Sequence, residues 1–259
     1  MNQELIASGP LLLTSEDGVH VLELRNPPAN ALSTGLLEAL SRALDLLESS
    51  PPGALVITGG NGKFFSAGLD LIAVLELDHA GVEMLLSRLV KVLLRIFRLP
   101  FPVVAALNGH AVAGGAILAL AAEHRVAAQG DFVVGLNEVQ VGLPLPAPLF
   151  EIVRSQVEVR EVGRVLLAGR NYPVEEARSA GLVHAVADPK ELRDHSVALA
   201  RKLAQVPTAA YSRMKQLLRS EAEFRIGTQE LDTEFLRIWF EPETRKAMHE
   251  ARERLRKKK

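Results

Sequence analysis

Between Leu99 and Ala122 the chain carries no Asp, Glu, Lys or Arg. An uncharged stretch of that length leaves water, either across a bilayer or into a packed core. Its punctuation decides between the two. Pro100, Pro102, Asn108, Gly109 and the Gly114–Gly115 pair divide it into strand, turn and helix. The helix, GGAILALAAE, is apolar almost all round, which predicts that it is buried.

The same alternation runs through the first half of the chain. VHVLELR (Val19 to Arg25) reads as a strand and NPP as the turn after it. Ser33 is placed to cap a helix through about Ser49, with Leu36, Leu37, Leu40, Leu44 and Leu47 on one stripe. ALVITGG reads as a buried strand, followed by a loop and a helix from near Leu69. Met84 to Leu99 is a second amphipathic helix, and HRVAAQGDFVVGL is two short strands joined at Gln129–Gly130. Strands alternating with helices predict an α/β fold with largely parallel pairing. Beyond Pro144 helices take over, with LVHAVA (Leu182 to Ala187) the one strand read there and a short helix after Pro173. No linker rich in Gly, Ser or Pro separates the halves. The expected organisation is a core over residues 1–145 and a mainly helical region over 146–259.

Composition narrows the class. With 259 residues, 48% of them hydrophobic, the chain can bury a large core, which excludes disorder. A net charge of −1 gives no global footprint for nucleic acid or an anionic membrane, and neither partner is expected. The absence of cysteine excludes disulfides, thiolate zinc sites and cysteine nucleophiles. MNQELIASGP carries Glu4, and no basic residue precedes Arg25, unlike a secretory or import leader. The expectation is a soluble cytoplasmic protein.

Two strand-loop-helix junctions recur, ALVITGGNGKFFSAGLDL and PVVAALNGHAVAGGAIL. The first is not a phosphate loop, because Gly62-Lys63 is followed by Phe64 rather than Ser or Thr. Nor is it a dinucleotide fingerprint, because Phe65 occupies the last glycine position. No HExxH motif and no GxSxG elbow occurs, so neither a metal site nor a hydrolase triad has a signal. Small residues (Ser66, Ala67, Gly68 and Ala113, Gly114, Gly115) would let a ligand approach backbone amides at two helix starts. Two such amides suit an oxyanion; tight helix entry chosen for packing is the alternative. In GLNEVQVGL, Glu138 is the sole carboxylate among Leu136, Val139 and Val141. It is either a surface acid on an edge loop or a base in a pocket.

Taken together, FFSAGLDL, PVVAALNGHAVAGGAILAL and GLNEVQVGLPLP, with NPPANAL before them and GLVHAVAD after, resemble the enoyl-CoA hydratase/isomerase (crotonase) superfamily over nearly the whole chain. The blocks are most similar to its 3,2-trans-enoyl-CoA isomerase branch. The resemblance implies a spiral of strand-strand-helix turns and a helical C-terminal trimerisation region, giving a homotrimer or a dimer of trimers. It implies acyl-CoA thioesters as substrates and no separate cofactor or metal, coenzyme A being part of the substrate. By motif position the amides of Ala67 and Gly114 would form the oxyanion hole. Ser66, Gly68, Leu69 and Asp70 would line the coenzyme A segment, and Asn137 and Glu138 would face the acyl chain. Hydratases of the superfamily use two glutamates. Here the later one is Glu138, while Ile117 stands at the earlier position, which implies an isomerase with Glu138 as the single proton shuttle. A hydratase or other lyase, or a non-catalytic acyl-CoA- or RNA-binding relative, are the alternatives. The basic end ARERLRKKK is read as a solvated helix end, or as Arg252, Arg254, Arg256 or Lys257 reaching a coenzyme A phosphate; Leu255 stands where relatives often carry lysine.

Overall fold

The computed structural model describes residues 3–6, 9–227 and 233–256, with side chains through residue 254. Its strands are β1 (Gln3–Ile6), β2 (Leu11–Glu16), β3 (Val19–Leu24), β4 (Ala54–Thr58), β5 (Phe64–Ser66), β6 (Val103–Leu107), β7 (His110–Val112), β8 (His124–Ala128), β9 (Val133–Gly135), β10 (Asn171–Pro173) and β11 (Ala185–Ala187). Its helices are α1 (Thr34–Ser49), α2 (Leu71–Val74), α3 (His79–Arg98), α4 (Gly114–Leu120), α5 (Ala147–Gln156), α6 (Val159–Ala168), α7 (Val174–Ser179), α8 (Leu192–Leu203), α9 (Thr208–Gly227), α10 (Thr233–Trp239) and α11 (Pro242–Arg256). A 3-10 turn covers Glu138–Val141.

The chain visits two sheets alternately. A seven-stranded sheet has the order β1-β2-β3-β4-β6-β8-β11, antiparallel among its first three strands and parallel from β3 onward. A four-stranded sheet has the order β10-β9-β7-β5, with β9, β7 and β5 parallel and β10 antiparallel to β9. The pairs β4–β5, β6–β7 and β8–β9 each give one strand to each sheet before the chain turns back through helix or turn. This is the spiral of strand-strand-helix turns. Three parallel strands of the smaller sheet therefore end side by side, and the loops after them meet at one edge. Loops after the carboxyl ends of parallel strands are where α/β proteins place ligand sites.

Local sequence explains the main elements. The Ser33 hydroxyl accepts from Leu36 N–H at 3.3 Å, and the leucine stripe of α1 is buried as its spacing predicts. Every residue of β4, β6 and α4 is buried. Helix α3 starts at His79, earlier than Met84, because Asp78 caps it with a 2.8 Å bond from Gly81 N–H. Helix α2 starts at Leu71 rather than near Leu69, because Asp70 accepts from Ile72 and Ala73 N–H.

Both sheets are completed from beyond Leu145, by β10 on β9 and β11 on β8, so a boundary at that residue does not separate the sheets from the helical region. The helical remainder is tied inward by charge. Lys215 and Arg219, both buried on α9, converge on Glu123; the Lys215 ammonium lies 2.8 Å from its carboxylate. The other Glu123 oxygen accepts from Val103 N–H at 2.8 Å. Burial pushes the Lys215 ammonium down to about 8. Removing one member of such a buried cluster typically costs about 3–5 kcal/mol, because the others lose their compensation. Among the described residues no helix is long and apolar enough to cross a membrane.

Candidate active site

The edge where β5, β7 and β9 end carries three loops, and the segment around Asn30 organises the first. Asn30 is buried with φ 48°; its side-chain amide donates to the carbonyls of Gly59 and Phe64, each at 3.1 Å. Its own carbonyl accepts from the Ser66 hydroxyl at 2.7 Å. The strip Ala29–Leu32 thereby lies along Ser66–Gly68. Ala67 N–H donates to Ala29 O at 3.0 Å, and Leu32 N–H donates to Gly68 O at 2.7 Å.

This pairing corrects two expectations. The Ala67 amide is consumed by Ala29 and is not a free donor for an oxyanion. Ser66 is completely buried, bonded to Asn30 O and accepting from Gly68 N–H at 3.3 Å, so its side chain braces the loop instead of lining a ligand. Gly68, at φ 76°, then swings the chain, and the next amide, that of Leu69, has no hydrogen-bond partner among the described residues.

The second loop meets the first in van der Waals contact. A Cβ placed on Gly68 would lie 2.8 Å from the Gly114 nitrogen, and one on Gly115 would lie 2.1 Å from Ser66 O. Neither position tolerates a side chain. The Gly114 amide also lacks a hydrogen-bond partner among the described residues, and the point where a Gly114 Cβ would sit is 3.9 Å from the Leu69 nitrogen. Two unused amides from different loops thus come together. Ala113 before them has φ 51° and ψ −130°, a conformation an alanine adopts at a cost of about 1–3 kcal/mol. Its N–H to Gly135 O bond, 2.9 Å, holds it there and ties this loop to the third.

The third loop leads from β9 into the 3-10 turn that begins at Glu138. β7 and β9 are neighbours, with Val112 opposite Gly135, so Gly114 and Glu138 leave adjacent strands in the same direction. Neighbouring strands lie about 4.8 Å apart, so the second and third loops leave the sheet side by side. Glu138 is partly buried as a residue, and among the described residues its carboxylate has no cationic partner. Burial pushes the carboxyl up to about 7, opposed only by a hydrogen bond from its own backbone amide. A base near 7 is matched to proton transfer at neutral pH.

Other expected site residues take definite places. Ile117 is buried in α4, a helix without an ionisable side chain. The first acid after it, Glu123, is held by Lys215 and Arg219. Asp70, expected along the coenzyme A segment, caps α2. Asn137 precedes the 3-10 turn and makes no side-chain cap bond. Arg252 lies 3.5 Å from Glu76, Arg254 is exposed, and the side chains of Leu255 and Arg256 and all of Lys257 lie outside the described residues. Ala29 and Asn30 are the site residues that motif reading missed; the NPPANAL block was their signal.

Residues 14–257 match the family model for enoyl-CoA hydratase/isomerase. The chain belongs to the enoyl-CoA hydratase/isomerase family. Within it, the chain is similar to human mitochondrial enoyl-CoA delta isomerase 1, 28% identical over 82% of this chain and 71% of that one. It is also similar to a Bacillus subtilis protein named "probable enoyl-CoA hydratase", 34% identical over 90% of this chain and 92% of that one. The crystal structure of human mitochondrial delta3-delta2-enoyl-CoA isomerase superposes with a TM-score of 0.92 at 27% identity, covering 97% of this chain and all of that one. The family thus supplies acyl-CoA enzymes of both kinds, hydratase and isomerase.

Proposed function

We propose that this enzyme isomerises 3-enoyl-CoA to 2-trans-enoyl-CoA with Glu138 as its single acid-base group. One observation carries the reading: a lone carboxyl, raised to about 7 by desolvation, sits in the turn that follows β9, the neighbour of the strand that leads to the unused Gly114 amide, and α4 offers no second acid. The ionised Glu138 removes a proton from C2 of the thioester. The electron pair moves into a dienolate whose negative charge falls on the thioester oxygen, held by the N–H groups of Leu69 and Gly114. The protonated Glu138 then delivers its proton to C4, the double bond comes to rest between C2 and C3, and the carboxylate is regenerated. A positioned base of this kind contributes about 10²–10⁴-fold, and each oxyanion donor roughly 10²–10³-fold.

The apolar Ile117 disfavours an ordered water and keeps the carboxyl desolvated, which favours proton return over hydration. Asn137, which has no cap bond to make, is free to contact the acyl chain or the carboxylate. Leu69 and Gly68 would sit under the thioester, and Asp70 would fix the segment by capping α2.

Assembly into a trimer or dimer of trimers is supported by an inverted helix. α9 turns Lys215 and Arg219 inward, while Met214, Leu217, Leu218 and Phe224 are exposed. An apolar outer face over a charged inner one calls for cover by another copy of the chain.

Glu138→Gln tests the reading. Conversion of a 3-enoyl-CoA to the conjugated thioester should fall at least 10³-fold, with binding of the saturated acyl-CoA kept within a few-fold. Rapid formation of 3-hydroxyacyl-CoA from 2-enoyl-CoA by the parent enzyme would instead establish a hydratase.

A further inference from the structure

We infer that helix α11 is a positioning brace that sets the spacing between the proton-shuttling carboxylate and the amide pair, holding one lip through Thr244 and the other through Arg245. The inference rests on the proposed roles of Glu138, Leu69 and Gly114.

The first contact is with the base. Thr244 is buried, and its hydroxyl donates to Gly142 O at 3.3 Å. Gly142 closes the 3-10 turn in a left-handed conformation, φ 78°, and its N–H returns to the carbonyls of Glu138 and Val139. The Glu138 backbone is therefore one hydrogen bond away from the residue that Thr244 holds. The approach is close: a Cβ on Gly142 would lie 3.3 Å from Thr244. The two elements also flank an open cleft of about 470 Å³, lined by Val139, Gln140, Ile238, Thr244 and Ala247 among others. The Thr244 bond thus ties the two elements together at the edge of that cleft.

The second contact is with the oxyanion lip. Arg245 donates to Leu75 O at 2.8 Å. Leu75 closes α2, a helix of four residues whose N-cap, Asp70, directly follows Leu69. One helical turn thus separates the Arg245 anchor from a donor amide. Consecutive helix residues point about 100° apart, so Thr244 and Arg245 diverge from one axis, one to the turn after Glu138 and the other to the end of α2. Met248 and Ala251 continue the buried stripe below Thr244 and seat the helix on the core. One rigid element bonded to both lips converts two loop positions into one distance. Proton transfer rates depend steeply on such distances, a 1 Å misplacement costing on the order of 10²-fold.

The test is a double-variant cycle on the full-length enzyme with a 3-enoyl-CoA substrate. Thr244→Val, which keeps the shape and removes the donor, should lower kcat about tenfold with KM within twofold, and Thr244→Ser should restore it. Arg245→Met should give a similar loss. The double variant should be no slower than the slower single one, because releasing either lip already frees the distance. Thermal unfolding of each variant establishes that it is folded. If Thr244→Val does not fold, Thr244→Ala removes the same donor and should give the same kcat loss. Unchanged kcat in the folded variants, losses that multiply, or losses that appear in KM would overturn the brace. Glu138→Gln, assayed alongside, separates the two ideas: if it stays active the reading of the base fails, and if it is dead while Thr244→Val is silent only the brace fails.

Discussion

Glu138 should make this enzyme less stable at the pH where it works. Its carboxyl is raised by burial from the usual 4.5 to about 7, so the folded chain holds a proton through a range where the unfolded chain has lost it. In that window the unfolded state binds fewer protons, and stability falls as pH rises. The neutral form's advantage is fully present below about 4.5 and is gone once pH has passed through about 7. A displacement of that size corresponds to about 3.5 kcal/mol at about 1.4 kcal/mol per pH unit. The residue keeps partial contact with water, so about 1–3 kcal/mol is the expected effect after allowance for screening. Glu138→Gln is neutral at every pH and escapes this loss. Calorimetric unfolding of parent and variant at pH 5.5 and 8.5 would measure it. The variant should gain on the parent by about 1–2 kcal/mol between the two conditions, because part of the window lies below pH 5.5, a shift of several degrees in Tm for a domain of this size. The same carboxyl should appear as an acidic limb near pH 7 in the parent's kcat/KM, since the base must be ionised. A stability difference that is the same at both pH values would show a solvated carboxyl and refute the desolvation argument.

Two further predictions concern its partners. Ile117→Glu should create measurable hydration of 2-enoyl-CoA by adding a second acid on α4, at a cost in stability of several kcal/mol for a buried carboxyl; a folded variant with no hydration would count against the one-carboxylate account of isomerisation. Replacing the Leu69 amide by an ester, through semisynthesis, should lower kcat by roughly 10²–10³-fold. The same replacement at Ala67 should lower Tm and leave kcat nearly unchanged; the reverse pattern would restore Ala67 as the oxyanion donor.

Elements with a period of their own were legible in the sequence. The α1 leucine stripe with its Ser33 cap, the buried runs of β4 and β6, and the uniformly apolar α4 all stand where the residues place them. β5, β7 and β10 were not legible, because a three-residue strand has no pattern; each exists through a neighbour that offers matching hydrogen bonds. The start of α3 was hidden for a different reason. Asp78 lies ahead of any apolar repeat, and only its bond to Gly81 marks it as a cap.

The sequence by itself determined the chemical types at the site: one carboxylate after β9, glycines where two loops must touch, and an isoleucine on the helix between them. Which backbone donors remain for a substrate was a tertiary decision. Ala67 and Leu69 look alike as amides in the sequence, yet Ala29, distant along the chain, takes the first and leaves the second. A hydrogen-bond donor can be spent only once by each neighbour that reaches it, and only the folded arrangement fixes who those neighbours are.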